Sequence, residues 1–233
     1  RLYKLANLYN EKTIAQNFIN IDKIFKNTSS PIPASDDPYI FEKKEFSLPK
    51  QYTFEGEELS LSDGLAHFHT DGLIVLHNGN MLYENYWNGN AIDSKHISFS
   101  VAKSYLSALI GIAVEEGLID NIDDEVSKYL NDFKNTGYEK VTIKNLLQMS
   151  SGIEFNEDYL DPNSDINKFG RATARGKPFR DFAKSLKSGK EQGTFNHYVS
   201  LDTQVLAFIL ESVTKMPVRE FLYKRIWNKI GTE

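Results

Sequence analysis

The dipeptide Asn78-Gly79 stands between two apolar runs, Gly72–His77 and Met81–Trp87. Both residues of such a pair tolerate a positive φ, so the dipeptide marks a two-residue hairpin turn. Two strands alone are marginally stable in water, so the hairpin is expected to belong to a larger antiparallel sheet. The pattern then changes period. Val101 to Val114 is dense in apolar residues, including Leu106, Leu109, Ile110 and Ala113. That density predicts a helix buried on most sides, with Gly117 ending it. A hairpin followed by a buried helix and further helical segments implies a mixed α/β (α+β) chain, an antiparallel sheet packed with helices plus a helical region.

The remainder is read in the same way. Leu5, Leu8, Ile14, Phe18, Ile21 and Phe25 follow a nearly helical spacing. Ser29 to Pro38, with Pro31, Pro33 and Asp37-Pro38, reads as a linker or turn, which separates an N-terminal segment 1–38 from a domain 39–233. Residues 42–65 are weakly patterned and read as loop with short strands. Val126–Leu130 is a short apolar turn, and Ile143–Met149 a helix closed by Ser150-Ser151-Gly152. Asn156–Gly176, rich in Asp, Asn and Gly, reads as a long surface loop or lid. Helices are expected over Phe179–Leu186, Leu201–Val213 and Val218–Ile230, the second with Asp202 near its start, where an acid is favoured. No stretch approaches the ~18 apolar residues that would span a membrane.

Composition narrows the function classes. A net charge of -5 without a basic block argues against nucleic acid as a partner. The absence of cysteine removes disulfides, thiolate catalysis and cysteine-based zinc sites. His67 and His69 straddle Phe68 and would share a strand face, but two histidines do not make a zinc site, so no metal is expected. There is no Gly-x-Ser-x-Gly elbow. His197, beside Tyr198, supports no serine–histidine–acid arrangement by adjacency alone. Asn27-Thr28-Ser29 matches the glycosylation acceptor pattern. A first residue that is Arg1 rather than methionine suggests a missing native N-terminus, and exported and cytoplasmic locations both fit.

The chemistry centres on Ser100-Val101-Ala102-Lys103. A serine hydroxyl is a poor nucleophile until a neighbouring base takes its proton. If Ser100 opens a helix, Lys103 lies on the same face one turn on. Burial would lower the amine's pKa and let it act as that base. The helix N-terminus would direct backbone N–H groups at a developing oxyanion. Against this, a four-residue Ser-x-x-Lys pattern is expected by chance roughly once in a chain of this size. Ser47-Leu48-Pro49-Lys50 is another instance, with a proline that argues against a helix start there. The residues alone therefore also allow a capping serine and a snorkelling lysine.

Longer stretches carry a resemblance. His96–Ser104, then Gly117-Leu118-Ile119-Asp120 with Val126-Ser127-Lys128-Tyr129-Leu130, then Val141–Gly152 resemble, in order, the successive motifs of beta-lactamase-related serine hydrolases. Gly193–Leu206, containing Tyr198-Val199-Ser200 and Asp202-Thr203, resembles the branch of 6-aminohexanoate-dimer hydrolases and related esterases. The resemblance runs from about Gly72 to Gly231. It implies a beta-lactamase/transpeptidase-like fold, Ser100 as nucleophile, Lys103 as base, and Tyr198 as the group that passes a proton to the leaving group. Ser200 would orient Tyr198 or the substrate, or cap the helix that follows. Class C beta-lactamases carry asparagine at that place, which weakens the expectation of beta-lactamase activity. The family's third motif, Lys-Thr-Gly or His-x-Gly, has no counterpart after Tyr198, so the last sheet strands are expected to be absent and the chain alone weakly active or inactive.

The resulting expectation is hydrolysis of a small-molecule ester, amide or peptide through an acyl-enzyme, without metal or organic cofactor. A D,D-peptidase or beta-lactamase is the alternative within catalysis, and an inactive binding or sensor module on the same scaffold is the alternative outside it. Neither the exact substrate nor the oligomeric state is legible.

Overall fold

The computed structural model describes residues 7–24, 31–44 and 46–232, in two compact units. The first comprises the described residues up to Ile97 other than Pro31–Pro38. The second comprises Pro31–Pro38 and the described residues from Ser98 onward.

The first unit contains helices α1 (Ile14–Ile19) and α2 (Ile21–Ile24), strands β1 (Glu42–Lys43), β2 (Gln51–Phe54) and β3 (Glu57–Ser60), helix α3 (Leu61–His67), and strands β4 (Gly72–His77) and β5 (Asn80–Tyr86). The hairpin forms where Asn78-Gly79 places it. His77 pairs with Asn80, and both turn residues have positive φ, 49° and 76°. The third strand departs from expectation: β1 joins β5 in parallel, through Glu42↔Asn80 and Lys43↔Met81. A parallel neighbour needs a long crossover, and the separate β2–β3 hairpin with α3 and β4 supplies it.

Helix α3 falls where a loop with strands is expected. Ser60 caps it by accepting from the Asp63 N–H, which satisfies one otherwise orphaned donor. His67 therefore ends a helix and His69 lies in a left-handed turn at φ 50°, so the two do not share a strand face. The N-terminal helix is also shorter than its spacing implies, because asparagines compete for the backbone. Asn17 Nδ2 donates to the carbonyls of Asn7 and Leu8, and Asn20 Nδ2 to that of Gln16. Leu5, Phe25 and the Asn27-Thr28-Ser29 pattern lie outside the described residues.

The second unit is helical: α4 (Val101–Glu115), α5 (Val126–Tyr129), α6 (Ile143–Leu147), α7 (Asp165–Ala174), α8 (Phe179–Ser185), α9 (Ser200–Thr214) and α10 (Val218–Leu222), the last continuing into one wide turn, Tyr223–Trp227. Its core gathers Leu109, Ile110 and Ala113 of α4 with Ile143 and Leu146 of α6 and Leu201, Val205 and Ile209 of α9. Helix α4 buries only one side. Leu106, Leu109, Ile110 and Ala113 follow the i, i+3, i+4, i+7 stripe, while Val101 is 61% and Tyr105 36% exposed on the other. Gly117, at φ 69°, follows its end as expected.

Two loop readings are corrected. Pro31–Pro38 is extended but docked, since Ser35 N donates to Thr232 O at 2.7 Å and Ser35 Oγ to Asn228 O at 2.8 Å. The polar stretch 156–176 is not all loop, for α7 occupies its second half. Ser164 caps α7, accepting from Asn167 N, and the Asn167 amide reaches back to the carbonyls of Tyr159 and Asp161. Phe169 anchors α7 on Phe179 and Phe182, with ring centroids 5.1 and 5.3 Å away. Among the described residues no helix is long and apolar enough to cross a membrane.

Candidate active site

The candidate site is built entirely within the second unit. Its first wall is the N-terminus of α4. Ser100 occupies the N-cap position, yet its hydroxyl makes no capping hydrogen bond. Instead Lys103 Nζ lies 3.0 Å from Ser100 Oγ, and the Tyr198 hydroxyl donates to the same oxygen at 2.9 Å. Lys103 Nζ also sits 5.2 Å from the centre of the Tyr198 ring. A capping serine would turn its oxygen onto the N–H of the second or third helical residue. Here the oxygen faces away from the helix, toward an amine and a phenol. Phe99, immediately before it, is held at φ 43°, a left-handed conformation that is strained for a bulky residue. The Ser100 N–H has no acceptor among the described residues.

The second wall is the segment that delivers Tyr198. Gly152, at φ 74°, lets this backbone pass against Lys190 O, which would lie 2.2 Å from an added Cβ. Ile153 bridges to Ser188, Gly193 N donates to Ser150 O, and His197 N donates to Met149 O. The His197 ring is occupied too, with Nε2 2.7 Å from Phe155 O. His197 thus pins the segment before Tyr198 and has no part in a triad. Tyr198 is 41% exposed and Lys103 half-buried, so the lysine is more open than the sequence reading implies.

Ser200 lies apart from the Ser100–Lys103–Tyr198 chain of contacts. Its N–H donates to Glu157 Oε2 at 3.1 Å and its hydroxyl to Glu157 Oε1 at 2.5 Å. The helix N-cap is Val199, so Ser200 is not the cap. It still borders a hollow of 310 Å³ together with Lys103 and Phe169. Glu157 was not singled out from the sequence. Removing its carboxylate in Glu157→Ala leaves two donors at the head of α9 without an acceptor, and is expected to cost about 1–3 kcal/mol of stability. Glu157→Gln keeps one accepting oxygen and should recover part of that loss. Thermal melts of the two variants, compared with the parent, check the ordering.

Asp202 lies in the first turn of α9 as expected of an acid near a helix start, and it is fully buried at 0% exposure. Its Oδ1 accepts from the Tyr138 hydroxyl at 2.9 Å. Burial pushes its pKa from 3.8 up to about 7, against the lowering influence of Ser151 and Tyr138, and Glu157 nearby raises it further. Burial and this acid likewise hold the Tyr138 phenol well above its ordinary value.

The Beta-lactamase family profile matches residues 61–233. The chain belongs to the Beta-lactamase family. Among curated members, it is 33% identical over 171 residues to the 6-aminohexanoate-dimer hydrolase of Paenarthrobacter ureafaciens, covering 70% of this chain and 43% of that protein. A protein named as a candidate D-alanyl-D-alanine carboxypeptidase in Salmonella agona is 30% identical over 125 residues, covering 51% of this chain and 28% of the relative. The chain therefore spans less than half the length of these relatives. Among solved structures, a candidate 6-aminohexanoate-dimer hydrolase from Bacillus anthracis superposes with a TM-score of 0.85 at 24% identity, over 97% of this chain and 61% of the other. That superposition establishes the beta-lactamase/transpeptidase-like fold for this Beta-lactamase family member.

Proposed function

We propose that this chain is a serine hydrolase that cleaves an ester or amide bond through an acyl-enzyme on Ser100. The observation that carries the reading is the convergence of Lys103 Nζ and the Tyr198 hydroxyl on Ser100 Oγ, at 3.0 and 2.9 Å. Lys103, neutral at the moment of attack, takes the Ser100 proton directly or through Tyr198. Ser100 Oγ bonds to the carbonyl carbon, and the free Ser100 N–H donates to the oxyanion. As the carbon–leaving-group bond breaks, Tyr198 passes a proton to the departing amine or alkoxide. Water then gives a proton to Lys103 or Tyr198 as it adds to the acyl carbonyl, the bond from the carbonyl carbon to Ser100 Oγ breaks to release the acid, and that proton returns to Ser100 Oγ.

The likeness to 6-aminohexanoate-dimer hydrolase supports short linear amides and small esters as the substrate class, with a D-alanyl peptide as the second reading. A panel of 6-aminohexanoate dimer, a p-nitrophenyl alkanoate and a D-alanyl-D-alanine peptide tests the choice. Turnover of the dimer or the ester, with a pre-steady-state burst on the ester, is the expected result. Turnover of the D-alanyl peptide alone would transfer the assignment to a carboxypeptidase.

A further inference from the structure

The first unit contains a cavity of 690 Å³ in which α3 and the segment leading into β2 face β5 and the residues just after it. Its volume falls within the range of about 300–1,000 Å³ typical of small-molecule sites. Tyr83, Asn85 and Trp87 all line it. They are spaced two apart along β5 and its continuation, so they stand on one face of the sheet. An amide is thereby set between two aromatic rings. Leu61 and Leu65 of α3 also line the cavity, as does Ser62.

Ser60, Ser62 and Asn88 are engaged in hydrogen bonds of their own, but three polar groups of the β5 face are unspent. The Tyr83 hydroxyl, the Asn85 amide and the Trp87 indole N–H make no side-chain hydrogen bond among the described residues. The other face of β5 is already engaged, with Glu84 bonded to Lys43 and Tyr86. No carboxylate lines the cavity and Lys50 does, so a cationic ligand would find no counter-ion and would meet a like charge. A purely aliphatic ligand would cover the amide and hydroxyls without pairing them, which is costly. A flat ligand with apolar C–H faces and hydroxyl edges satisfies both kinds of wall: its faces lie on the rings and its edges bond the amide and hydroxyls.

We propose that this cavity is a binding site for a short neutral saccharide, with Trp87 and Tyr83 as stacking platforms and Asn85 as the hydroxyl-reading group. The site stands independently of the hydrolase reading, and Ser100→Ala is expected to bind saccharide as the parent does.

The chain has two tryptophans, Trp87 and Trp227. Trp227→Phe therefore leaves Trp87 as the sole indole reporter. Titrating that variant with triacetylchitotriose and with maltotriose should give a saturable change in emission with at least one of them. Introducing Asn85→Ala, or the near-isosteric Tyr83→Phe, should weaken that binding by about tenfold, the worth of one hydrogen bond, with the melting temperature unchanged. An absence of saturable change with both sugars would overturn the proposal. So would equal affinity in Asn85→Ala and Tyr83→Phe, or saturable binding of octanoate but of neither sugar.

Discussion

Replacing Lys103 by alanine is expected to slow acylation of Ser100 by about 10²–10⁴-fold, the usual worth of a positioned general base. Lys103→Arg should be nearly as slow. A guanidinium keeps the positive charge but has no acceptor and no accessible neutral form, so it cannot take the serine proton. The comparison separates two roles that the geometry alone allows. If Lys103 served only as a cation steering substrate or holding Tyr198 through its ring, arginine would retain most of the rate. Because Lys103 is half-buried and its Nζ contacts are Ser100 Oγ and the Tyr198 ring, neither variant should lose much stability. Burst kinetics with an activated ester, read beside thermal melts, check both halves of this expectation.

The second large effect concerns stability. Asp202 is buried with a pKa raised from 3.8 to about 7. The folded chain therefore holds this proton more tightly than the unfolded chain does. Its contribution to stability is fully present below about pH 4, declines as pH rises, and is lost by about pH 7, where folding must carry a buried charge. The interval corresponds to about 4 kcal/mol at about 1.4 kcal/mol per pH unit, taken as an upper figure. Asp202→Asn, nearly isosteric and neutral, should remove this dependence. It is expected to match the parent near pH 4 and to exceed it at pH 8 by up to about 4 kcal/mol, raising Tm by up to about 8–16 °C. Parallel stability–pH curves for parent and variant would contradict the assignment of the raised pKa to this residue.

The parts of this structure legible in the sequence are those governed by neighbours along the chain. Asn78-Gly79 dictates a turn because only two adjacent φ angles matter. Ser100 and Lys103 share a helix face because three residues make nearly one turn. Tyr198, distant in sequence, is legible only through the resemblance of its surrounding residues, not by spacing. What escaped depends on contacts between remote segments. Asp202 looks like an ordinary first-turn acid until Tyr138, 64 positions earlier, is seen to donate to it. Glu157 lies in a polar stretch, and its bond to Ser200 spans 43 positions. Helix α7 was hidden because Ile166 and Phe169 are too few apolar residues to show a period, although Ser164 and Asn167 carry its cap. For α4 the density of apolar residues suggests burial on most sides, whereas the core takes up one stripe and leaves Val101 exposed.

The most direct test of the account is covalent. The full-length protein and its Ser100→Ala variant are each mixed with a fluorophosphonate, which traps an activated serine by phosphonylating its oxygen and releasing fluoride. Intact mass is then read, and the labelled peptide sequenced. A single adduct on Ser100, absent from the variant and slow to form in Lys103→Ala, is the expected result. No adduct on the parent, or an adduct that persists in Ser100→Ala, would contradict Ser100 as the activated nucleophile.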